Sequence, residues 1–372
     1  MSTHKVYMEG STQTMHGHLG KAEWQSPLLV AASDEASRPN HGNHIKANEY
    51  MDDRYVLEQK VDLIVELIKQ AKCCTAYTGA GLSRAAGIAD YATRAKNSVT
   101  ATGVPKLRSN LDAQPTVSHK ILTAMEKEGY LHHYVQQNHD GLPQKAGYPQ
   151  SKLNEIHGAW FDPSNPVVKF SGNLRDDLFN WMYDMEAKID LCLCLGTSLS
   201  GMNADRVAKT PAKRMIRGDA GILGTVIINL QQTPLDKKSA VRVWAKLDDV
   251  FSMIASKLAL DMTKDYAPKL SSRMKNKYEV PYNRNGVLDT TSKMILNMNS
   301  GEEIRICVPG ASNEDCRGVV KRKDAVGNYV VVIDEEGETK HRVFGRWFVL
   351  EAMEGKLPML PLVNTNPHII NS

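Results

Sequence analysis

The sequence predicts an α/β protein, a doubly wound parallel sheet followed by a small all-β barrel. Three observations carry this. Between Tyr55 and Leu260, helical patterns alternate with short strands that are β-branched or wholly apolar, as in a parallel sheet covered on both faces. Four of those strands end in small or polar residues. From Glu303 onward the pattern turns to short strands divided by glycine-containing turns.

The elements follow in order. Residues 1–52 read as a disordered tail: apolar residues are scattered, and Gly, Ser, Asn and His are frequent. His4, His16, His18, His41 and His44 lie there at irregular spacing, which favours a solvated tail over a metal-binding tract. One apolar patch, Leu28 to Ala32, could dock on the body. In YVLEQKVDLIVELIKQAK, Leu57, Val61, Ile64, Val65 and Ile68 share one helical face. Cys73 to Tyr77 then form a strand, followed at once by Thr78-Gly79-Ala80-Gly81. The helix PTVSHKILTAMEKEG precedes a strand and exit at Tyr134 to Asn138. The helix DDLFNWMYDMEA leads to the strand Leu191 to Leu195 and the turn Gly196-Thr197-Ser198. A fourth strand covers Val226 to Leu230, and a helix from about Leu247 to Leu260 closes the domain, 53–262. Residues 263–300, rich in Lys, Asn, Ser and Tyr, read as a linker. EIRICVP, RGVVKRK, NYVVVIDE, KHRVFG and RWFVLEA give five short strands in 301–353, the size of an SH3 or Tudor-like barrel. Residues 354–372 read as a second tail.

Composition sets outer bounds. The 372 residues are 42% hydrophobic and 24% charged, an ordinary globular balance. The net charge of +4 is too small to imply nucleic-acid binding by itself. No apolar run approaches the roughly 18 residues of a membrane helix, so no membrane partner is expected. The first residues lack the basic-then-apolar order of a secretion signal. Six cysteines form no C-x-x-C pair, which argues against a disulfide framework and points to a reducing compartment, nucleus or cytoplasm.

Ligands of open parallel sheets bind beyond the carboxyl ends of the strands. Here those ends carry Gly79-Ala80-Gly81, Gln137-Asn138, Gly196-Thr197-Ser198 and Asn229. Gly79 and Gly81 would let backbone N–H groups approach a pyrophosphate at the start of the next helix. Arg84 stands where a third glycine of a dinucleotide motif would be.

The full strings resemble the sirtuin family. TGAGLSRAAGIADY resembles its GAGxSxxxGIPDF/Y, QNHDGLPQKAG its QNxDGLHxxAG, NEIHG its ELHG, CLGTSLS its GTSL and VIINLQQT its IVNLQPT. The match runs from about Val56 to Leu260, and its flavour is that of the nuclear, chromatin-associated class IV sirtuins. The resemblance implies a Rossmann-like fold and an NAD-dependent protein-lysine deacylase that makes nicotinamide and O-acyl-ADP-ribose. It implies that Ala80, Gly81 and Ser83 line a diphosphate site, and that Asp90 and Tyr91 belong to the loop over the nicotinamide ribose. Gln137 and Asn138 would hold ribose and water, Asp140 the nicotinamide amide. Gly196, Thr197 and Ser198 would contact phosphate and ribose, Asn229 and Gln231 the adenosine ribose, and Leu247 the adenine. His157 would be the general base for a ribose hydroxyl, a task suited to an imidazole titrating near roughly pH 6.5. A structural loop histidine is the alternative for His157. Pro166 to Phe170 would be the edge on which an acylated-lysine peptide, such as a histone tail, adds as a strand.

The sequence also departs from the family pattern. Sirtuins usually carry two C-x₂-C pairs after the HG motif, and here no cysteine lies between His157 and Cys192. Zinc is therefore not expected, and Cys192 and Cys194 read as core. Ala89 replaces a family Pro, Ala92 a family Arg with Arg94 two residues on, and Pro143 a family His. His139 occupies the variable position. Tyr329, Phe344, Trp347 and Phe348 read as barrel core, with a methyl-lysine cage on a chromatin partner as the alternative. Two other functions stay open beside deacylation. One is an NAD glycohydrolase or mono-ADP-ribosyltransferase, and the other a non-catalytic NAD or ADP-ribose-binding chromatin module.

Overall fold

Burial of an apolar stripe and satisfied helix ends explain most of the elements in the computed structural model, which describes residues 5–36, 45–89, 97–101, 103–169, 172–270 and 275–370. In chain order the elements begin with α1 (Thr12–His16), β1 (Leu28–Ala31), β2 (Glu49–Met51), α2 (Arg54–Gln70) and β3 (Cys74–Thr78). They continue with α3 (Val117–Lys127), β4 (His133–Gln136), α4 (Leu142–Ala146), β5 (Leu153–Glu155), α5 (Asp176–Lys188) and β6 (Leu191–Leu195). Next come α6 (Arg206–Arg217), β7 (Gly224–Ile228), β8 (Val241–Val243) and α7 (Leu247–Lys257). The last group is β9 (Lys277–Val280), β10 (Lys293–Asn297), β11 (Glu303–Ile306), β12 (Arg317–Lys323), β13 (Tyr329–Glu335), β14 (Glu338–Phe344), α8 (Arg346–Met353), β15 (Leu362–Asn364) and β16 (His368–Ile370). No helix among the described residues is long and apolar enough to cross a membrane.

The chain divides into two units, 1–137 with 181–265, and 138–180 with 266–372. In the first, parallel strands run in the order β4-β3-β6-β7-β8. Every residue of β3, β6 and β7 is buried, which fits the wholly apolar β6 and the small, aromatic and β-branched residues of β3 and β7. The Asp53 carboxylate accepts from Tyr55 N at 2.9 Å and caps α2. Thr116 and His119 form a reciprocal capping box on α3. This is the doubly wound parallel sheet the sequence predicts.

The residues expected as a disordered N-terminal tail differ from that expectation where they are described. β1 pairs antiparallel with β2. Tyr50 N donates to Leu230 O at 2.9 Å, and His18 N to Ser239 O at 2.9 Å. Trp244, fully buried, donates Nε1–H to Met15 O at 2.7 Å. Lys60 and Asp52 form a wholly buried ion pair at 2.7 Å. The apolar anchors Met8, Trp24 and Tyr50 are spread thinly along the segment, so no local periodicity announces them.

The second unit has a three-stranded sheet, β16-β10-β9, and a five-stranded antiparallel sheet, β14-β13-β12-β11-β15. Three expectations change here. The residues read as a linker contain β9 and β10, and those read as a second tail contain β15 and β16. RWFVLEA, expected as a strand, is α8, with Trp347, Phe348, Val349 and Ala352 buried on one side. A short apolar run does not distinguish helix from strand by periodicity, and the fifth strand of the sheet is β15. Tyr329, Phe344, Trp347 and Phe348 lie in one apolar core with Phe161, at most 3% exposed. That burial removes the aromatic-cage alternative, since a cage must open to its ligand.

Candidate functional site

The first unit gathers four strand exits. Gly79 N donates to Leu195 O at 3.0 Å and Gly81 N to Gly196 O at 2.9 Å. Gly196 N donates to Ile228 O at 3.1 Å, and Gln137 N to Thr78 O at 3.0 Å. The contact between the first and third exits is close enough to demand glycine. A Cβ on Gly81 would stand 2.8 Å from both Cα and O of Gly196. Gly196 itself has φ +57°, and a Cβ there would meet Leu82 N at 2.6 Å.

Side chains extend this frame. Gln137 Nε2 donates to Thr197 Oγ1 at 2.8 Å, and Asn229 Nδ2 to Thr197 O at 3.3 Å. The helix after the glycines, Ala80 to Ala86 with Ser83 and Arg84, is a 3₁₀ helix, and Gly87 ends it. Ser83 is buried, Leu247 is half-buried at the first residue of α7, and Gln231 is buried. Thus Gly79, Ala80, Gly81, Ser83, Arg84, Gln137, Gly196, Thr197, Ser198, Asn229, Gln231 and Leu247 all belong to one unit. Asp90 and Tyr91, with Ala92 and Arg94, lie outside the described residues.

Sequence reasoning missed the residue that shapes the fourth exit. Arg242 is fully buried in β8 and pairs with Asp236 at 2.7 Å. Its guanidinium donates to Asn229 O at 2.8 Å and to Gln231 O at 2.6 Å, and lies 3.4 Å from the Trp244 ring centroid. These bonds satisfy the carbonyls of Asn229 and Gln231 in the loop that follows β7. The available signal was a lone cation inside the apolar string AVRVWA.

The second unit holds Asn138, Asp140 and His157. Asp140 is buried and accepts from Leu142 N at 3.0 Å. His139 Nδ1 pairs with Gly158 O at 2.9 Å, and Trp160 N donates to His139 O at 2.8 Å. The loop with Asn138 and Asp140 and the loop with His157 are therefore stitched to each other. His157 is half-buried, and its carbonyl accepts from Val168 N at 3.0 Å. Pro166 to Lys169 form no regular strand; Val167 is exposed between half-buried Pro166 and Val168, and Phe170 lies outside the described residues.

No group of three or more His, Cys, Asp or Glu side chains among the described residues is placed to hold a metal. Cys192 and Cys194 are fully buried in β6, and burial raises both thiol pKa values, so these are core side chains and not thiolate ligands.

Comparison with known proteins decides the family. A Sir2 family model matches residues 103–166. The NAD-dependent protein deacetylase sirtuin-7 of Bos taurus is 30% identical over 294 residues, covering 65% of this chain and 71% of the relative. The chain is a sirtuin. The NAD-dependent protein deacetylase SRT1 of Arabidopsis thaliana is 29% identical to this sirtuin over 254 residues, 56% of the chain and 51% of the relative. Among solved structures, a Sir2–p53 peptide–NAD⁺ complex covers 54% of the sirtuin chain and 98% of its own, at 20% identity and TM-score 0.44. The relatives' match to the class IV-like sirtuin-7 agrees with the flavour of the motifs.

Proposed function

We propose that this sirtuin is an NAD-dependent protein-lysine deacylase that releases nicotinamide and O-acyl-ADP-ribose. The observation that carries the reading is the frame of four strand exits, in which Gly81 and Gly196 approach too closely for any Cβ. Such a frame keeps bulky side chains away from the carboxyl ends of the strands, where a dinucleotide would approach the backbone. Membership in a family whose relatives are named NAD-dependent protein deacetylases supports the same assignment.

When bound, NAD supplies a ribose carbon whose bond to nicotinamide can be broken. The residues of the chain then divide the work. Gly79, Ala80, Gly81, Ser83 and Arg84, with Gly196, Thr197 and Ser198, are assigned to the diphosphate and neighbouring ribose. Asn229 and Gln231, held by Arg242, are assigned to the adenosine ribose and Leu247 to the adenine face. Gln137 and Asn138 are assigned to ribose and a water, Asp140 to the nicotinamide amide, and Asp90 and Tyr91 to the loop above it. His157 Nδ1 or Nε2 takes the proton of a ribose hydroxyl as general base. The acylated lysine is assigned to a protein strand, a histone tail being the first candidate, laid along Pro166 to Lys169. A nuclear location and activity without zinc belong to the same reading.

The test is product mass after incubation with NAD, with and without acetylated histone peptides. Deacylated peptide and O-acyl-ADP-ribose are expected, falling by at least about 100-fold in His157→Ala while NAD binding stays within about twofold. Free ADP-ribose without peptide, or mass added to protein, would instead identify a glycohydrolase or transferase. NAD binding with no turnover of any kind would identify a binding module.

A further inference from the structure

Residues 266–372 carry none of the groups assigned to the reaction, yet they hold the loop that does. That loop, Glu155 to Val168, is tied within itself. Ala159 N donates to Asn165 O at 2.8 Å, and Asn165 Nδ2 donates to Glu155 O at 3.0 Å. Val168 N closes it onto His157 O. Its far turn is fastened to the C-terminal module at two points. Phe161, 2% exposed, sits in the module's apolar core, 5.4 Å from the Trp347 ring, and its carbonyl accepts from Gly345 N at 2.9 Å. Two residues on, Pro163 O accepts from Asn313 Nδ2 at 2.9 Å. Asn313, 3% exposed, also donates to Glu335 Oε1 at 2.9 Å, and Glu335 in turn is gripped by Arg342.

We propose that the C-terminal β module does the work a metal would otherwise do here, and that Asn313 is a positioning residue for the acyl-lysine peptide. A loop without cysteine needs a source of rigidity other than thiolate–metal bonds or a disulfide, because ordering its backbone costs conformational entropy. The chain Arg342, Glu335, Asn313, Pro163 O supplies a partly buried, charge-backed anchor three residues before the segment on which the peptide is laid. The inference rests on the deacylase reading only for the identity of the ligand; the mechanical coupling stands by itself.

The experiment uses the full chain, wild type, Asn313→Asp and Asn313→Ala. Aspartate keeps the shape but turns an acceptor toward Pro163 O and Glu335; alanine removes the donor without repulsion. Two readouts are taken: amide hydrogen exchange over 158–168, and the KM values for acetyl-lysine peptide and for NAD. Both variants are expected to lose protection at Ala159 and Val168 and to raise the peptide KM about tenfold, with the NAD KM within twofold. Unchanged protection in either folded variant overturns the proposal, as does an equal rise in both KM values. If wild type deacylates no peptide, the deacylase reading falls, and the exchange arm still decides the role of Asn313.

Discussion

Acidification gives a sharp test of whether the N-terminal segment belongs to the fold. His16 ends α1, is 1% exposed, and meets the Trp24 ring edge-on at 5.6 Å. Burial, and secondarily the nearby Lys60 cation, lower its pKa from 6.5 to about 4. Between those values the unfolded chain binds a proton that the folded chain refuses, so stability contributed by neutral His16 is present above pH 6.5 and is lost as pH falls toward 4. The shift corresponds to about 2 kcal/mol lost by pH 5 and about 3 kcal/mol by pH 4, less whatever solvent screening removes. The perturbation is His16→Phe, which keeps an aromatic ring and cannot titrate. Overpacking shifts its stability by a constant and leaves the pH slope interpretable. Urea unfolding of both proteins from pH 7 to pH 4 is the assay. Wild type is expected to lose about 2–3 kcal/mol relative to the variant over that range, mostly below pH 6. Parallel curves would mean that His16 titrates as in water and that the segment is not packed as described.

Two further outcomes follow from the site. Gly81→Ala places a Cβ 2.8 Å from the Gly196 backbone, which cannot yield cheaply. A stability loss of about 1–3 kcal/mol and an NAD affinity at least about tenfold weaker are expected by thermal melting and calorimetry. Wild-type values for both would remove the close-approach argument. Purified protein is expected to contain no stoichiometric zinc by mass spectrometry, and EDTA is expected to leave its melting temperature unchanged. One zinc per chain, or a chelator-induced fall, would overturn the assignment of loop rigidity to protein contacts.

The sequence alone determined β3, β4, β6 and β7 of the first unit's sheet and the motifs at their ends, while β8 was not read from it. Its strands β3, β6 and β7 are wholly buried, so they carry no charged residue, and their exits need glycine or short polar residues because backbones meet there. Such local demands leave a local record. What surrounds that sheet was decided by tertiary contacts. The N-terminal residues look like a tail because each contributes one anchor to a surface made elsewhere, as Met15 O does for Lys60 and Trp244. Arg242 looks like a misplaced cation until the carbonyls of Asn229 and Gln231 converge on it. The missing cysteines read only as a loss. The structure places Phe161 in a core built from residues more than a hundred positions later, and no periodicity within the loop itself could announce a partner so distant.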